Sequence, residues 1–454
     1  MGRRSGLWAP VWLAATAAIT WSVVRYELLI VAVLTASAVL LAVAVSRGVR
    51  FGLGGRWTMP LVLVGTAAIV ELVPSFTYAS RSEHRAAVHL AALTALVVAA
   101  AWVGPVRRLA PWLAGAGFLA VAVWVIRADP APRIDVWVIL QQASDGLAHG
   151  SNAYSSTWRG SPGETDAFTY LPMTLVLVAP GRWLAGDVRW ALTFWTLAGA
   201  ALLWAFARGA PARDSAPAWG AAALLLLVPG TTTQVEQSWT EPLLFALLGA
   251  WALLVSRERA WWAVVPLALA LASKQHILLL LPLLALWQPF GWRRSAASAG
   301  LGGLLVLPWF LASPADLWHD TVTLLVHFHA IRFADTLYLA AVHELGWPPP
   351  FWLVGLVVLG VLAVAAVVIQ RRQPPLDQLL LWCALVLFVA NLVNKQAFYN
   401  QYWLVAALVL LAVAAGPGAS LKGQRREVAQ PVPGERGLGS AEDGRERLRR
   451  GHLG

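Results

Sequence analysis

Charged side chains are scarce in this 454-residue sequence. Asp, Glu, Lys and Arg make up 13% of it, about half of the quarter usual in soluble domains. A single cysteine, Cys383, excludes an intramolecular disulfide and a cysteine-based metal site. The alternation of polar and apolar residues that is typical of a membrane β-barrel is also missing. With 59% apolar residues, the composition excludes a soluble enzyme, a disordered protein and a single-pass receptor.

Long apolar runs take the place of charge. Because about 20 apolar residues cross a bilayer, the sequence predicts an all-α polytopic membrane protein with about 13–14 transmembrane helices. The runs lie near residues 7–24, 28–46, 57–74, 86–103, 110–126, 188–207, 217–230, 242–256, 260–273, 276–290, 296–312, 351–370, 377–393 and 402–416. A further stretch, residues 169–184, is interrupted by Pro172 and Pro180, which favours a short interfacial or re-entrant helix.

Arginines mark the short loops between many of these runs. The loops contain Arg47, Arg50, Arg56, Arg107, Arg108, Arg208, Arg213, Arg257, Arg259, Arg293, Arg294, Arg371 and Arg372. Because positively charged loops stay in the cytoplasm, this pattern predicts a plasma-membrane protein with both termini inside. The net charge of +11 therefore reflects membrane orientation, and no nucleic-acid partner is predicted.

Four parts follow from this topology. They are an N-terminal five-helix transmembrane region (1–127), an extracytoplasmic loop (128–187), a C-terminal transmembrane region (188–416) with an outer loop at 313–350, and a tail (417–454). The tail has almost no large apolar residues and is predicted to be disordered in the cytoplasm. The abundance of Ala, Arg and Trp is typical of a GC-rich bacterial genome.

Asp135 begins an amphipathic helix in the first outer loop. Beyond Pro132, apolar residues recur at helical spacing, and Gly146 and Gly150 end the run. Asp is a favoured N-cap residue, worth about 1 kcal/mol, so a cap is one interpretation of Asp135. The same position holds a carboxylate where the helix meets the outer membrane face, and a carboxylate there can act as a base.

Two lysines on the outer side contradict the charge rule. Lys274 lies with Gln275 in a Ser-Lys-Gln-His turn, and Lys395 lies in a later polar turn. Each lysine has two open interpretations, namely snorkelling to headgroups or holding an anionic ligand such as a lipid phosphate. Arg332 is a candidate for a second phosphate contact.

No recognisable metal or phosphate motif occurs on the outer side. His327 and His329 resemble a metal-binding pair, but side chains two residues apart on a helix do not face each other. A Gly-rich phosphate loop, a Ser-His-Asp order and a zinc motif are all missing from the sequence. No metal site is therefore predicted.

The outer segments resemble a known family. IDVWV, GLAHGSNAY and FTYLP are similar to the pattern Asp…Gly-x-Asn/Asp-Pro-Tyr…Tyr-Pro-Pro of polyprenol-phosphate-sugar-dependent GT-C membrane glycosyltransferases, especially glycosyltransferase family 87. VEQSWTEPLLFALLG and ALASKQHILLLLP resemble that family's glutamine-containing turn and its later Ala-x-Lys hairpin. The resemblance extends over residues 128–410. Ala153 and Leu171 depart from the pattern, because each stands where the family has proline.

The resemblance implies transfer of a sugar, usually mannose, from a polyprenyl phosphate to a glycan or glycolipid hydroxyl outside the cell, with inversion. Asp135 would be the general base, and one carboxylate suffices because the leaving phosphate is already an anion. The lipid phosphate would be bound by Lys274, Gln275, Arg332 and Lys395. The sugar and acceptor sites would be shaped by Asn152, Tyr154, Tyr170, Glu236 and Gln237. No cofactor is required, and the sequence leaves open whether a divalent cation assists.

Two alternatives remain beside the transferase. A membrane glycan polymerase or ligase would use a diphosphate-linked oligosaccharide on the same face. A transporter or flippase would carry ionisable residues near the membrane midplane, often in two related halves. Glu71 is the clearest intramembrane acid, whereas the other polar residues gather at the outer rim, so the transferase is favoured. Its lipid-linked donor would keep its polyprenyl tail among the membrane lipids.

Overall fold

The computed structural model describes residues 5–208 and 212–416, and these ranges are helical without a β-strand. The α-helices are α1 (Trp8–Ser22), α2 (Leu28–Ser46), α3 (Thr58–Leu72), α4 (Arg81–Val103), α5 (Ala110–Ala128), α6 (Asp135–Ala148), α7 (Pro172–Ala185), α8 (Arg189–Ala205), α9 (Ala212–Leu226), α10 (Thr231–Glu236), α11 (Glu241–Ser256), α12 (Val264–Leu271), α13 (Leu281–Leu286), α14 (Gly291–Ala312), α15 (Pro314–Trp318), α16 (Leu324–His327), α17 (Leu337–Leu345), α18 (Phe351–Arg372), α19 (Leu376–Val393) and α20 (Tyr399–Ala414). The tail predicted to be disordered, 417–454, lies outside the described residues.

The helices confirm the all-α polytopic membrane class. Six of those described are long and apolar enough to cross a membrane alone, namely α2, α4, α5 with the turn before it, α14, α18 and α19. Each predicted apolar run lies on helical structure. Several helices, among them α3, α11 and α20, have only 10–17 residues, so the total of about 13–14 crossings stays a prediction.

The proline-interrupted stretch forms α7, which turns back sharply into α8. Gly186 ends α7 in the left-handed region at φ +79°, a conformation that glycine adopts without a steric penalty. The axes of α7 and α8 differ by 116°, as in a broken span or a re-entrant segment. The predicted helix is therefore present, and its depth in the membrane stays a prediction.

The hairpin around Lys274 is less regular than its apolar sequence indicates. We expect two short spans at 260–273 and 276–290, but the first leg contains only α12. The second leg begins as a 3₁₀ segment, Gln275–Leu280, before α13. Pro282 has no N–H to donate and therefore suits the first turn of a helix, and α13 begins one residue before it, at Leu281.

The N-terminal five helices pack against the rest of the described protein. α2 contacts α19, and α1 contacts α20. The indole of Trp12 donates to Ala406 O at 3.2 Å, and Arg50 pairs with Asp377 at 3.1 Å. The residues described by the structure therefore fall into one compact unit.

Candidate functional site

Asp135 is the first residue of α6 and is partly exposed. The N-cap position belongs to Ile134, and the Asp135 carboxylate accepts the neighbouring Val136 N–H at 2.8 Å. An N-cap side chain would instead accept from a residue two or three positions further on. The cap interpretation is therefore wrong by one position, and the carboxylate keeps accepting capacity for other groups.

A loop closes over the Asp135 carboxylate. Trp158 N donates to Thr165 O at 2.7 Å, and this bond folds the intervening residues into a turn. A Cβ built on Gly163 would lie 2.5 Å from Asp135 Oδ2, which is closer than real Cβ atoms approach. A side chain at position 163 would therefore force the Asp135 carboxylate or the loop to shift.

The end of the first outer loop runs alongside the Lys274 turn. Leu171 N donates to Ser273 O at 3.1 Å, and Met173 N donates to Ala272 O at 3.0 Å. The Thr174 hydroxyl adds a third bond, to Ser273 O at 2.7 Å. Two segments that are about a hundred residues apart in sequence are thereby joined, and Tyr170 comes to lie beside the lysine turn.

Tyr170 lies beside Lys274 and within the electrostatic influence of Asp135. The ammonium of Lys274 lies 5.5 Å from the centroid of the Tyr170 ring. Burial raises the pKa of the Tyr170 phenol well above its ordinary value, and the negative charges of Asp135 and Glu241 raise it further. The phenol is therefore neutral at physiological pH and lies within the electrostatic reach of both carboxylates.

Glu241 is the ion-pair partner of Lys274. Lys274 Nζ lies 2.5 Å from Glu241 Oε1, and Asn400 Nδ2 donates to the same oxygen at 2.8 Å. Glu241 is fully buried, and its Oε2 has no hydrogen-bond partner in the described structure. Lys274 Nζ also donates to Thr240 Oγ1 at 3.5 Å. The charge of Lys274 is thus largely balanced, and one of the three donor hydrogens of the ammonium remains for a ligand.

Glu236 is held by a loop from the N-terminal region. Its Oε1 accepts from Thr77 Oγ1 at 2.8 Å, Tyr78 N at 3.0 Å and Ala79 N at 3.1 Å. Burial raises the pKa of this carboxyl, whereas the three hydrogen bonds oppose the shift. Its Oε2 is buried and lacks a partner among the residues described.

Tyr78 brings Glu236 and Asp135 into one electrostatic environment. After burial, the charges of Asp135 and Glu236 are the main causes that raise the pKa of its phenol. The guanidinium of Arg133 lies 5.7 Å from the Tyr78 ring and opposes that shift. Sequence reasoning missed Tyr78. The available signal was the short polar stretch between two apolar runs, which the predicted topology puts on the outer side.

The end of α10 and the turn after it contain buried polar atoms without partners in the part of the chain that the structure describes. These atoms are Gln234 Oε1, Gln237 Nε2 and Ser238 Oγ. Ser238 also has φ +58°, an uncommon conformation for a non-glycine residue. Since buried polar groups are normally hydrogen-bonded, water or a bound molecule can bond here, with Gln234 Oε1 accepting, Gln237 Nε2 donating and Ser238 Oγ doing either.

Asn152 and Tyr154 hold the backbone at Tyr170 in place through hydrogen bonds. The Asn152 side chain accepts from Tyr154 N at 3.1 Å, and the Tyr154 hydroxyl donates to Tyr170 O at 2.8 Å. Tyr154 is only 2% exposed and packs edge-on against Phe168. In this structure Tyr154 fixes the backbone of Tyr170 and does not face an open surface.

The two segments predicted to lie on the outer side, 128–187 and 313–350, contact each other. Asp320 Oδ2 accepts from Phe168 N at 2.8 Å. The Gln275 amide donates to Thr169 O and Thr321 O, both at 3.1 Å. Gln275 therefore ties the lysine turn to both outer segments, and its amide N–H groups are already used.

Arg332 and Lys395 form a second group, apart from the contacts of Lys274. Ile331 N donates to Lys395 O at 3.3 Å, so the two segments are adjacent. The Lys395 ammonium donates to Val326 O at 2.6 Å and lies 4.7 Å from the Phe351 ring, and burial lowers its pKa. Arg332 is exposed, and no hydrogen bond or ion pair joins its guanidinium to the described residues.

No group of three or more His, Cys, Asp or Glu residues is arranged to hold a metal ion within residues 5–208 and 212–416. His327 Nδ1 is bonded to its own helix at Thr323 O, at 2.9 Å, and His329 stacks on Phe328. The two histidines are therefore engaged separately.

Residues 168–393, about half of the chain, match the model of glycosyltransferase family 87. No curated protein matches the chain. The match confirms the resemblance and includes Tyr170, Glu236 and Lys274, whereas Asp135 and the Tyr78 loop precede it.

Proposed function

The chain belongs to glycosyltransferase family 87 and is an all-α membrane protein, and we propose that it transfers a hexose from a polyprenyl phosphate to a hydroxyl of a glycan or glycolipid. The hexose in this proposal is mannose. The transfer takes place on the extracytoplasmic face of the plasma membrane and inverts the anomeric centre.

The observation that carries this proposal is the arrangement around Tyr170. A partly exposed carboxylate, Asp135, acts electrostatically on this phenol from one segment, and the ammonium of Lys274 lies 5.5 Å from its ring. A transfer from a sugar phosphate needs a base for the acceptor and a donor for the leaving phosphate. Asp135 and Lys274 supply this pair of groups.

In the proposed mechanism, Asp135 takes the proton of the acceptor hydroxyl while the oxygen attacks the anomeric carbon. The bond from that carbon to the phosphate oxygen breaks, and the lipid phosphate leaves as an anion without needing a proton. Lys274 stabilises this anion with an N–H that Glu241 does not use. Since Glu241 balances much of its charge, Lys274 acts mainly as an oriented hydrogen-bond donor.

The remaining site residues have narrower proposed roles. Glu236 and Gln237 have unpaired buried atoms, which suit sugar hydroxyls. Of the two cations in the group of Arg332 and Lys395, Arg332 is the one available for a lipid phosphate, because the Lys395 ammonium already donates to Val326 O. Asn152, Tyr154 and Gln275 act by positioning Tyr170 and the lysine turn.

The test is Asp135→Asn in purified protein reconstituted with labelled polyprenyl-phosphate mannose and a pool of membrane acceptors. We expect turnover to fall about 10²–10⁴-fold, the usual effect of losing a general base. Asp166→Asn is the matched control, because Asp166 is an exposed carboxylate of the same outer loop. Near-full turnover in Asp135→Asn would remove Asp135 as the base, and turnover only with a diphosphate-linked oligosaccharide would favour the polymerase or ligase.

A further inference from the structure

An apolar cavity lies between α1, α2 and α20, lined by none of the residues around Tyr170. Its volume is about 260 Å³. Its walls include Trp12 and Ile19 from α1, Leu34 and Leu41 from α2, and Val409 from α20. An apolar cavity of about 150 Å³ already admits a molecule of the size of benzene, so this one has room for a larger apolar group.

The indoles and hydroxyls that border the cavity already have protein partners. The Trp8 indole donates to Gly52 O at 3.0 Å, and the Trp12 indole donates to Ala406 O at 3.2 Å. The Ser37 hydroxyl donates to Val33 O at 2.8 Å, and the Tyr402 hydroxyl donates to Asp335 O at 2.9 Å. A buried water normally needs two to four hydrogen-bond partners. The cavity therefore favours an apolar occupant over water.

The cavity opens to the surface of the protein between exposed apolar side chains, and it is about as deep as one leaflet of a bilayer. At its rim, Leu7 is 75% exposed and Leu40 is 52% exposed. Its lining extends along α1 from Leu7 to Ile19, about 18 Å at about 1.5 Å per residue. The hydrocarbon of one leaflet is about 15 Å thick, so the cavity has the depth and the entrance that a lipid chain requires.

Positive charge lies at the end of the cavity next to the α2 C-terminus. Arg47 borders the cavity, is exposed, and makes no ion pair with the described residues. The Arg372 guanidinium donates to Ser46 O at 3.2 Å, and Arg50 lies three residues further along the chain. Of these three arginines only Arg50 has a carboxylate partner, Asp377, which leaves this end of the cavity electropositive.

We propose that this cavity binds one acyl chain of an anionic phospholipid, from the leaflet in which Arg47 lies. The acyl chain fills the apolar space between α1, α2 and α20, and the headgroup phosphate meets the guanidinium of Arg47. The site is separate from the proposed donor site, because the polyprenyl phosphate is assigned to Lys274. It does not depend on the proposed reaction.

The experiment is native mass spectrometry of the delipidated full-length protein with phosphatidylglycerol, with phosphatidylcholine of the same acyl chains, or with a polyprenyl phosphate. Ala15→Phe and Ala44→Phe fill the cavity from opposite walls. Ala14→Phe is the control for added bulk, because Ala14 is exposed on the same helix and does not border the cavity. Arg47→Gln is compared with Arg56→Gln, which changes an exposed arginine further along the same loop between α2 and α3.

We expect one tightly retained phosphatidylglycerol in the wild type and in Ala14→Phe, and its loss in Ala15→Phe and Ala44→Phe. Arg47→Gln should reduce the preference for phosphatidylglycerol over phosphatidylcholine about fivefold, the effect of one arginine beside an anionic headgroup, and Arg56→Gln should not. The proposal is overturned if either filled-cavity variant that retains the wild-type unfolding temperature also retains the lipid. Equal binding of the two phospholipids, or displacement by polyprenyl phosphate, overturns it as well.

Discussion

Asp335 is a buried acid in the second outer segment, only 2% exposed. Its Oδ1 accepts the Glu27 N–H at 3.0 Å, and its Oδ2 has no partner in the described ranges. Burial raises the pKa of this carboxyl to about 7, and the nearby charge of Glu27 contributes in the same direction. The folded protein therefore favours the protonated acid, whereas the unfolded chain ionises near the ordinary value of 3.8.

The consequence is a stability that falls as the pH rises. The folded state binds more protons than the unfolded state between about pH 4 and 7, so the contribution of Asp335 is complete below pH 4 and is lost as the pH rises through 7. Asp335→Asn keeps the neutral form at every pH. We expect its unfolding temperature relative to wild type to rise between pH 5 and pH 8. Asp166→Asn, at an exposed site, should show no such trend, and parallel pH profiles of wild type and Asp335→Asn would contradict the prediction.

At the residue scale, sequence reasoning predicted candidates but not their partners. Lys274 was noticed because it violates the charge rule, and Tyr170 because of the family pattern. The pairing of Lys274 with Glu241 joins residues 33 positions apart, and the bond from Thr77 to Glu236 joins residues 159 apart. No local pattern encodes such contacts, because they arise from tertiary packing.

At the scale of elements, α6 is bonded along its length to α7 and to the turn between α7 and α8. The Trp137 indole donates to both oxygens of Asp187, at 3.3 and 3.2 Å, and Asp187 also pairs with the fully buried Arg189. Further along, Asp145 makes a bidentate pair with Arg182 at 2.8 and 2.9 Å. Since Asp135 begins α6, these bonds determine where the proposed base lies.

Asp187→Asn should therefore destabilise the protein strongly. It leaves the Arg189 guanidinium buried without a counter-charge, and breaking a buried pair from one side costs about 3–5 kcal/mol. Asp145→Asn is the matched control on the same helix, because its pair with Arg182 is partly exposed and worth about 1 kcal/mol or less. Thermal unfolding in detergent measures both changes. Equal losses in the two variants would show that burial of the Asp187 pair does not matter.

The periodicity of apolar residues predicted α6, and unbroken apolar runs predicted the long helices. Both signals are local, so they remain valid in the folded protein. The lengths of α12 and α13 could not be predicted in this way. Apolar composition does not reveal that Pro282 and the lysine turn divide the run into a short 3₁₀ segment and a six-residue helix.

At the scale of the whole molecule, the predicted orientation can be tested with introduced cysteines. The native Cys383 is 2% exposed and should not react with a membrane-impermeant maleimide. Thr157 is exposed in the first outer loop, and Gly55 is exposed in an arginine-containing loop with no atom near an added Cβ. We expect Thr157→Cys to label in intact cells and Gly55→Cys to label only after permeabilisation. The reverse pattern would show that the orientation is wrong.

The Glu236 contacts constrain how this architecture can be recombined. The carboxylate lies inside the segment that matches the family, but the three donors on its Oε1 come from residues 77–79, well upstream of that segment. A chimera that exchanges the first five helices for those of another protein would leave the Glu236 carboxylate without these hydrogen-bond donors, unless the new part supplies an equivalent set. In evolution, the loop between α3 and α4 and residue 236 are therefore expected to change together.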